Sequence, residues 1–181
     1  MTKKRFLPIL LGIWPYLVLV LMGLLANEEN QYYGLELLIL SVLTAIVYIL
    51  NIANACIGKQ KDIKRLALMD MLIKLIHIPF YLLVFVIGAM ALVVMVVPVF
   101  VFISPFIVIM LAVIDFFLML TSSAYGINAL IRARKDGIIS SNFMVLHIVM
   151  HLCFVLDIVS AIIVFLKLRK ASKKEQNMVL Y

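Results

Sequence analysis

Long apolar runs, separated by short polar segments, set the pattern of the chain. The runs cover residues 6–26, 35–57, 66–131 and 143–166. A helix needs roughly 20 residues to cross a hydrocarbon core of about 30 Å, so each run is long enough to span a bilayer. The pattern predicts an all-α, polytopic integral membrane protein, in which residues 1–181 form a single transmembrane domain.

The run over residues 66–131 is long enough for two spans and contains its own turn signals. Pro98 and the pair Ser104 and Pro105 lie near its middle. Proline removes a backbone donor and disfavours helix in the residue before it, so the chain is expected to turn there. The division gives about five transmembrane helices, with predicted spans at 6–26, 35–57, 67–97, 105–131 and 143–166.

The composition is that of a chain in contact with lipid. Of its 181 residues, 66% are hydrophobic and 14% are charged, and the mean hydropathy is +1.21. Apolar residues make up only about half of a soluble domain. We therefore expect the lipid bilayer to be the main partner. The net charge of +7 does not indicate nucleic acid, because the basic residues lie in short clusters at the ends of apolar runs.

The basic clusters predict an orientation. They cover residues 3–5, 59–65 and 132–135, and cytoplasmic loops carry the excess of Lys and Arg in membrane proteins. This places the N-terminus in the cytoplasm of a multi-pass plasma-membrane protein of bacterial type, with the acidic connector at 27–34 outside. Five spans then put the tail at 167–174 outside, although it holds five basic residues. Two alternatives keep this tail inside: a re-entrant last segment, or a long tract split into three short spans.

Polar side chains recur near the ends of the second and fourth spans and in the spans that follow them. The matching pairs are Thr44 with Thr121, Tyr48 with Tyr125, Asn51 with Asn128, and His77 with His151. The matches indicate one helix followed by two parallel-repeated helix pairs, although a restricted alphabet of apolar residues also produces chance matches. Polar groups on such faces form interhelical hydrogen bonds worth about 0.5–2 kcal/mol. The candidate packing residues are Ser41, Thr44, Tyr48, Asn51, Ser122, Tyr125 and Asn128.

Ionisable residues inside the apolar runs are the candidates for function. Such groups are costly in lipid and normally face the bundle interior, pair with one another or line an ion path. With a rise of about 1.5 Å per residue, His77 and His151 are expected in one layer and Asp115 and Asp157 in another. His147 shares a helix face with His151, four residues later. These five residues are the candidates for a proton or cation path, although each can also be structural.

Asp70 and Lys74 have two interpretations. Their spacing places them on the helix face that also carries His77 and Tyr81. They can belong to an amphipathic segment at the cytoplasmic interface, with an i,i+4 ion pair and a lysine that reaches toward water. They can also point into the bundle. The sequence favours the interfacial interpretation, so neither is counted among the path candidates.

Metal, haem and enzyme chemistry are weakly indicated. His147 and His151 have the spacing that lets one helix supply two metal ligands, but Ile148 follows His147 where a zinc protease motif has glutamate. The sequence contains neither a G-x-S-x-G elbow nor a phosphate-binding glycine loop. We therefore expect no metal, no cofactor and no enzymatic activity.

Two main classes of function follow from these patterns, and an intramembrane metal or haem protein is a third class that they favour less. Layered titratable groups and the possible repeat favour a small proton- or cation-linked transporter or channel-like protein. The small size favours the alternative, a non-catalytic accessory, immunity-type or structural membrane subunit. A homo-oligomer or a membrane partner subunit is compatible with both classes.

Overall fold

A computed structural model describes residues 3–26, 31–57 and 62–179, and every regular element in these ranges is a helix. The elements are α1 (Lys3–Leu25), α2 (Tyr33–Ile57), α3 (Ile63–Val94), a 3-10 helix (Pro98–Phe100), α4 (Ile103–Lys135), α5 (Ser141–Met150) and α6 (Phe154–Val179). Four of them, α1 to α4, are long and apolar enough to cross a membrane. The predicted all-α membrane protein is confirmed. Residues 27–30 of the acidic connector and the basic residues at 59 and 61 lie outside the described residues.

The long apolar run divides where its prolines predict. α3 ends at Val94 and α4 begins at Ile103. Val97, which precedes Pro98, has the extended backbone that proline imposes on its neighbour (φ −84°, ψ 122°). Pro105 falls in the first turn of α4, where its missing N–H costs no intrahelical hydrogen bond.

The four spanning helices bury narrow stripes against one another and leave broad apolar faces outside. Between 17% and 22% of the most apolar window of each helix is buried within the chain. Large exposed apolar side chains cover the rest, as expected for surfaces that contact lipid tails. α3 occupies the centre and packs against α1, α4 and α6.

The fifth predicted span, residues 143–166, is not one continuous helix. α5 ends at Met150, and the chain turns before α6 begins at Phe154. Three side-chain contacts connect the two arms in reverse order along the chain. They are Phe143 with Lys167, His147 with Ser160, and His151 with Asp157. α5 and α6 therefore form an antiparallel helical hairpin, whose tip lies at residues 151–153.

The proposed duplication of helix pairs does not extend to this hairpin. α3 passes through His77 without a break, whereas α5 ends immediately before His151, the residue that matches His77 in the sequence. The two histidines consequently occupy different kinds of position.

The return of α6 resolves the conflict over the basic tail. The ammonium nitrogen of Lys167 lies 3.5 Å from the centre of the Phe143 ring. Phe143 belongs to the first turn of α5, just after the loop that follows the basic end of α4 at 132–135. The basic residues that follow Lys167 on α6 therefore lie on the same side of the bundle as that basic end. The last apolar run thus folds back on itself, as the re-entrant alternative requires.

This topology predicts which positions share a side. In a variant without Cys56 and Cys153, single cysteines at Gly137 and Ala171 should react with an impermeant thiol reagent from one side of sealed vesicles. A cysteine at Val96, in the exposed turn between α3 and α4, should react from the opposite side. If the cysteines at positions 171 and 96 reacted from the same side, residues 143–166 would have to cross the membrane.

Candidate functional site

Four buried ionisable side chains meet at the tip of the α5–α6 hairpin. Asp70 and Lys74 come from α3, one helical turn apart, and His151 and Asp157 come from the two sides of the hairpin turn. Each of the four is no more than 1% exposed. We call these four residues the buried cluster.

Lys74 lies at the centre of the buried cluster. Its ammonium nitrogen donates a hydrogen bond to Oδ1 of Asp157 and lies 2.9 Å from Oδ1 of Asp70 as an ion pair. The same nitrogen is 2.7 Å from Nδ1 of His151. One cation thus joins two carboxylates that belong to different helices, and this contact attaches the hairpin tip to α3.

The imidazole of His151 lies between the two carboxylates. Its Nδ1 is 2.7 Å from Oδ1 of Asp157, and its Nε2 faces Oδ2 of Asp70 across 3.9 Å, too far for a hydrogen bond. Both Nε2 of His151 and Oδ2 of Asp70 are buried without a hydrogen-bond partner among the described residues. The cluster is therefore well connected on the Asp157 side and incomplete on the Asp70 side.

α4 forms the wall behind the buried cluster. Ser123 donates to Oδ1 of Asp157 at 3.1 Å, and its Oγ is 3.4 Å from the backbone carbonyl oxygen of His151 at the end of α5. At Gly126, an added Cβ would lie 2.5 Å from Oδ2 of Asp70 and 2.8 Å from Nε2 of His151. Only a residue without a side chain leaves room for both groups at this position.

The charges of the buried cluster balance only when it takes up one further positive charge. Two carboxylates face one ammonium, so the set carries one net negative charge while His151 is neutral. Burying ions is costly, and removing one partner of a buried pair leaves an uncompensated charge. A proton on His151 or one small cation would make the cluster neutral.

The hairpin sets the depth of the buried cluster. α5 contains 10 residues and is therefore about 15 Å long. A helix of this length reaches about halfway across a hydrocarbon core of about 30 Å. The four ionisable groups consequently lie about 15 Å from the start of α5 along the bundle, packed among α3, α4 and α6.

The predicted separation of histidines and aspartates into two layers is wrong for His151 and Asp157. In one straight helix these residues would lie about 9 Å apart along the axis. The turn at the hairpin tip brings their side chains to 2.7 Å instead. The prediction failed because it assumed a continuous span.

His77 fastens α3 to α1. Its Nε2 donates to the carbonyl oxygen of Leu11 at 3.1 Å. Pro15 lies four residues after Leu11 and has no N–H, so this carbonyl lacks its usual intrahelical donor. His77 thus satisfies a backbone acceptor of α1 and is not one of the four residues of the buried cluster.

His147 closes the hairpin on itself. Its Nδ1 is 2.8 Å from Oγ of Ser160 on α6, and its ring packs on Phe143 with centroids 4.1 Å apart. The hydrogen bond to Ser160 holds the two arms of the hairpin together, and the ring contact with Phe143 lies within α5.

Asp115 lies apart from the buried cluster. It is on α4, eight residues before Ser123, which corresponds to about 12 Å along the helix toward the α3–α4 turn. It is 8% exposed, and its Oδ1 is buried without a hydrogen-bond partner among the described residues. Asp157 instead belongs to the buried cluster, with Lys74 and His151.

Four of the seven predicted packing residues, Thr44, Asn51, Tyr125 and Asn128, hold α2 against α4 and α1. Tyr125 donates to Oδ1 of Asn51 at 3.0 Å, and Asn128 donates to the carbonyl oxygen of Ala55. Trp14 of α1 donates to Thr44 at 3.1 Å. Ser41 and Ser122 bond carbonyl groups of their own helices, and Tyr48 packs against the hydrophobic core.

Asp70 and Lys74 are the site residues that sequence reasoning set aside. Their i,i+4 spacing was visible, but it fits an exposed interfacial pair as well as a buried one. The stronger signal was their shared face with His77 and Tyr81, because all four are buried in the structure. No group of three or more His, Cys, Asp or Glu side chains in the described ranges is arranged to hold a metal ion, and in the buried cluster the Lys74 ammonium lies between the carboxylates.

Comparison with known proteins defines a family but assigns no activity to the buried cluster. No curated protein and no solved structure matches the chain. A family model matches residues 4–170, a range that includes all four residues of the cluster. The chain therefore belongs to DUF6652, a family of unknown function.

Proposed function

We propose that this membrane protein is a small proton- or cation-linked transporter or channel-like protein, and that the buried cluster is its coupling site. The observation that carries the proposal is the meeting of Asp70, Lys74, His151 and Asp157 at the tip of a half-crossing hairpin. The protein is proposed to act in the plasma membrane with its N-terminus in the cytoplasm, without enzymatic chemistry.

The energetics of burial support this proposal. Ionisable side chains inside a membrane are costly, and where they occur they commonly belong to ion paths and proton relays. A hairpin that only needed to pack could use apolar residues at its tip, since replacing a buried ion pair with well-packed apolar groups is often neutral or stabilising. Burying these four ionisable groups therefore costs stability, and a coupling role gives a reason for that cost.

The architecture gives a second line of support. Transporters commonly bind substrate and coupling ions near the midplane of the bilayer, where interrupted helices expose backbone and polar groups. The α5–α6 hairpin interrupts the last apolar run at this depth, and α3 and α4 shield it. A small movement of its tip relative to α3 would change which groups contact Lys74.

Flux through the unmodified protein is the direct test. The purified protein is reconstituted in liposomes with a pH-sensitive dye inside, and gradients of Na⁺, K⁺ or H⁺ are imposed with choline as the balancing cation. We expect the internal pH to change faster than in protein-free liposomes under at least one gradient, because the cluster exchanges a proton or a cation.

The alternative function predicts a different result. An accessory, immunity-type or structural subunit has no need to move ions, and its buried cluster would serve to fix the hairpin. Identical traces from liposomes with and without protein under every gradient would overturn the transport proposal and favour this alternative.

A further inference from the structure

We infer that the buried cluster is a binding site for a small monovalent metal cation such as Na⁺ or Li⁺, and that the ammonium of Lys74 is its built-in competitor. The inference deepens the proposed function, because it names the ligand class of the same site. Its test measures binding in detergent, so it can fail or succeed independently of flux.

The position of the Lys74 ammonium is the first argument. It contacts carboxylate oxygens of Asp70 and Asp157 from two different elements. An ammonium is a compact, strongly hydrated positive charge on a flexible stem. Hard metal cations prefer oxygen ligands, and carboxylates are the most strongly attracting of these. The place that Lys74 occupies is therefore one that a free monovalent cation would also favour.

Unused oxygen acceptors near the ammonium are the second argument. Oδ2 of Asp70 is buried without a hydrogen-bond partner among the described residues. Oγ of Ser123 lies 3.1 Å from Asp157 and 3.4 Å from the carbonyl oxygen of His151, and its single proton can serve only one of these acceptors. The buried cluster and Ser123 thus offer carboxylate, hydroxyl and carbonyl oxygens, the ligand types that a small hard cation requires.

The charge balance links binding of the metal cation to the position of the Lys74 ammonium. A free cation that enters between the carboxylates adds one positive charge and takes the place of the Lys74 ammonium between Asp70 and Asp157. Two carboxylates, one ammonium and one metal cation sum to zero, so the occupied site is neutral.

The test removes the competitor. Lys74→Gln keeps a polar side chain of similar reach but leaves the two carboxylates without their ammonium. We expect this variant to unfold at a lower temperature than the unmodified protein in choline chloride and to recover in NaCl or LiCl at equal ionic strength. The cation concentration that gives half-maximal stabilisation should fall at least about tenfold relative to the unmodified protein, because no tethered charge competes.

Two further variants control the measurement. Lys167→Gln removes a lysine that lies over the Phe143 ring, outside the cluster, and should leave the salt response as in the unmodified protein. Lys74→Gln combined with Asp70→Asn and Asp157→Asn removes all three charges, and this triple variant should fold in choline with no specific response to Na⁺ or Li⁺.

The possible outcomes separate the two proposals. Equal stability of Lys74→Gln in choline, Na⁺ and Li⁺ would overturn the cation site. The same conclusion follows if Lys74→Gln gives no monodisperse protein in any salt while the triple variant does. Specific rescue by Na⁺ or Li⁺ without any flux in liposomes would support the site and remove the transport function. Proton flux in liposomes without any stabilisation by Na⁺ or Li⁺ would support the transport function and overturn the cation site.

Discussion

Replacing Asp157 by asparagine is expected to abolish ion- or pH-driven flux while the protein still folds and inserts. Oδ1 of Asp157 is the shared acceptor for Lys74, Ser123 and His151. Asparagine keeps the shape and one oxygen acceptor but removes the negative charge. Lys74 and Asp70 then remain as a balanced pair, so no unmatched charge is left in the interior and the fold is spared.

The same change at Asp115 provides the comparison. Asp115 is also a buried carboxylate, but it lies about 12 Å from Ser123 along α4. We expect Asp115→Asn to lower the flux only in part, measured as the initial rate with the dye-loaded liposomes. Equal and complete loss in both variants would indicate that the two aspartates act as one pair, as the sequence first suggested, and that the buried cluster is not the coupling site by itself.

The spanning helices were predictable because their signals are local. Run length and hydropathy identify α1 to α4, and Pro98 and Pro105 locate the turn between α3 and α4. The break at the hairpin tip has no such signal, since residues 151–153 contain neither glycine nor proline. The turn instead depends on contacts with Lys74 and Ser123, which come from distant parts of the chain.

The basic residues of the tail indicated that the last apolar run folds back, which no local pattern in that run did. A continuous fifth span would carry the basic residues after Lys167 to the side opposite the other basic clusters, against the rule that cytoplasmic loops carry the excess of Lys and Arg. Folding back at the hairpin removes that conflict. The basic tail is therefore a constraint on the whole chain, which a count along one apolar run does not include.

The site could be predicted only in part for the same reason. His151 and Asp157 were selected as ionisable residues in an apolar run, and both lie in the buried cluster. Their partners could not be predicted, because the depth of each residue was counted along a straight helix. Asp70 and Lys74 were assigned to the interface, whereas the hairpin tip meets them in the interior and buries them.

Gly126→Ala is expected to disrupt the buried cluster by steric overlap. An added Cβ at this position would lie 2.5 Å from Oδ2 of Asp70 and 2.8 Å from Nε2 of His151, closer than real Cβ contacts occur. Neither group can move without changing its contact with Lys74 or Asp157. Overpacking of this kind typically costs about 1–3 kcal/mol, so the free energy of unfolding in detergent should fall by that amount, together with the flux.

Gly88→Ala is the matched control, since Gly88 lies within α3 and an added Cβ there meets no atom within 4 Å. Alanine favours helix over glycine by up to about 1 kcal/mol in helical peptides, so this variant should unfold at the same denaturant concentration as the unmodified protein or at a higher one. The two substitutions have the same chemistry and opposite expected signs, which separates crowding at the cluster from a general effect on helices. If Gly126→Ala were as stable and as active as Gly88→Ala, Asp70 and His151 would not both lie against α4, and the incomplete side of the buried cluster would have to be arranged differently.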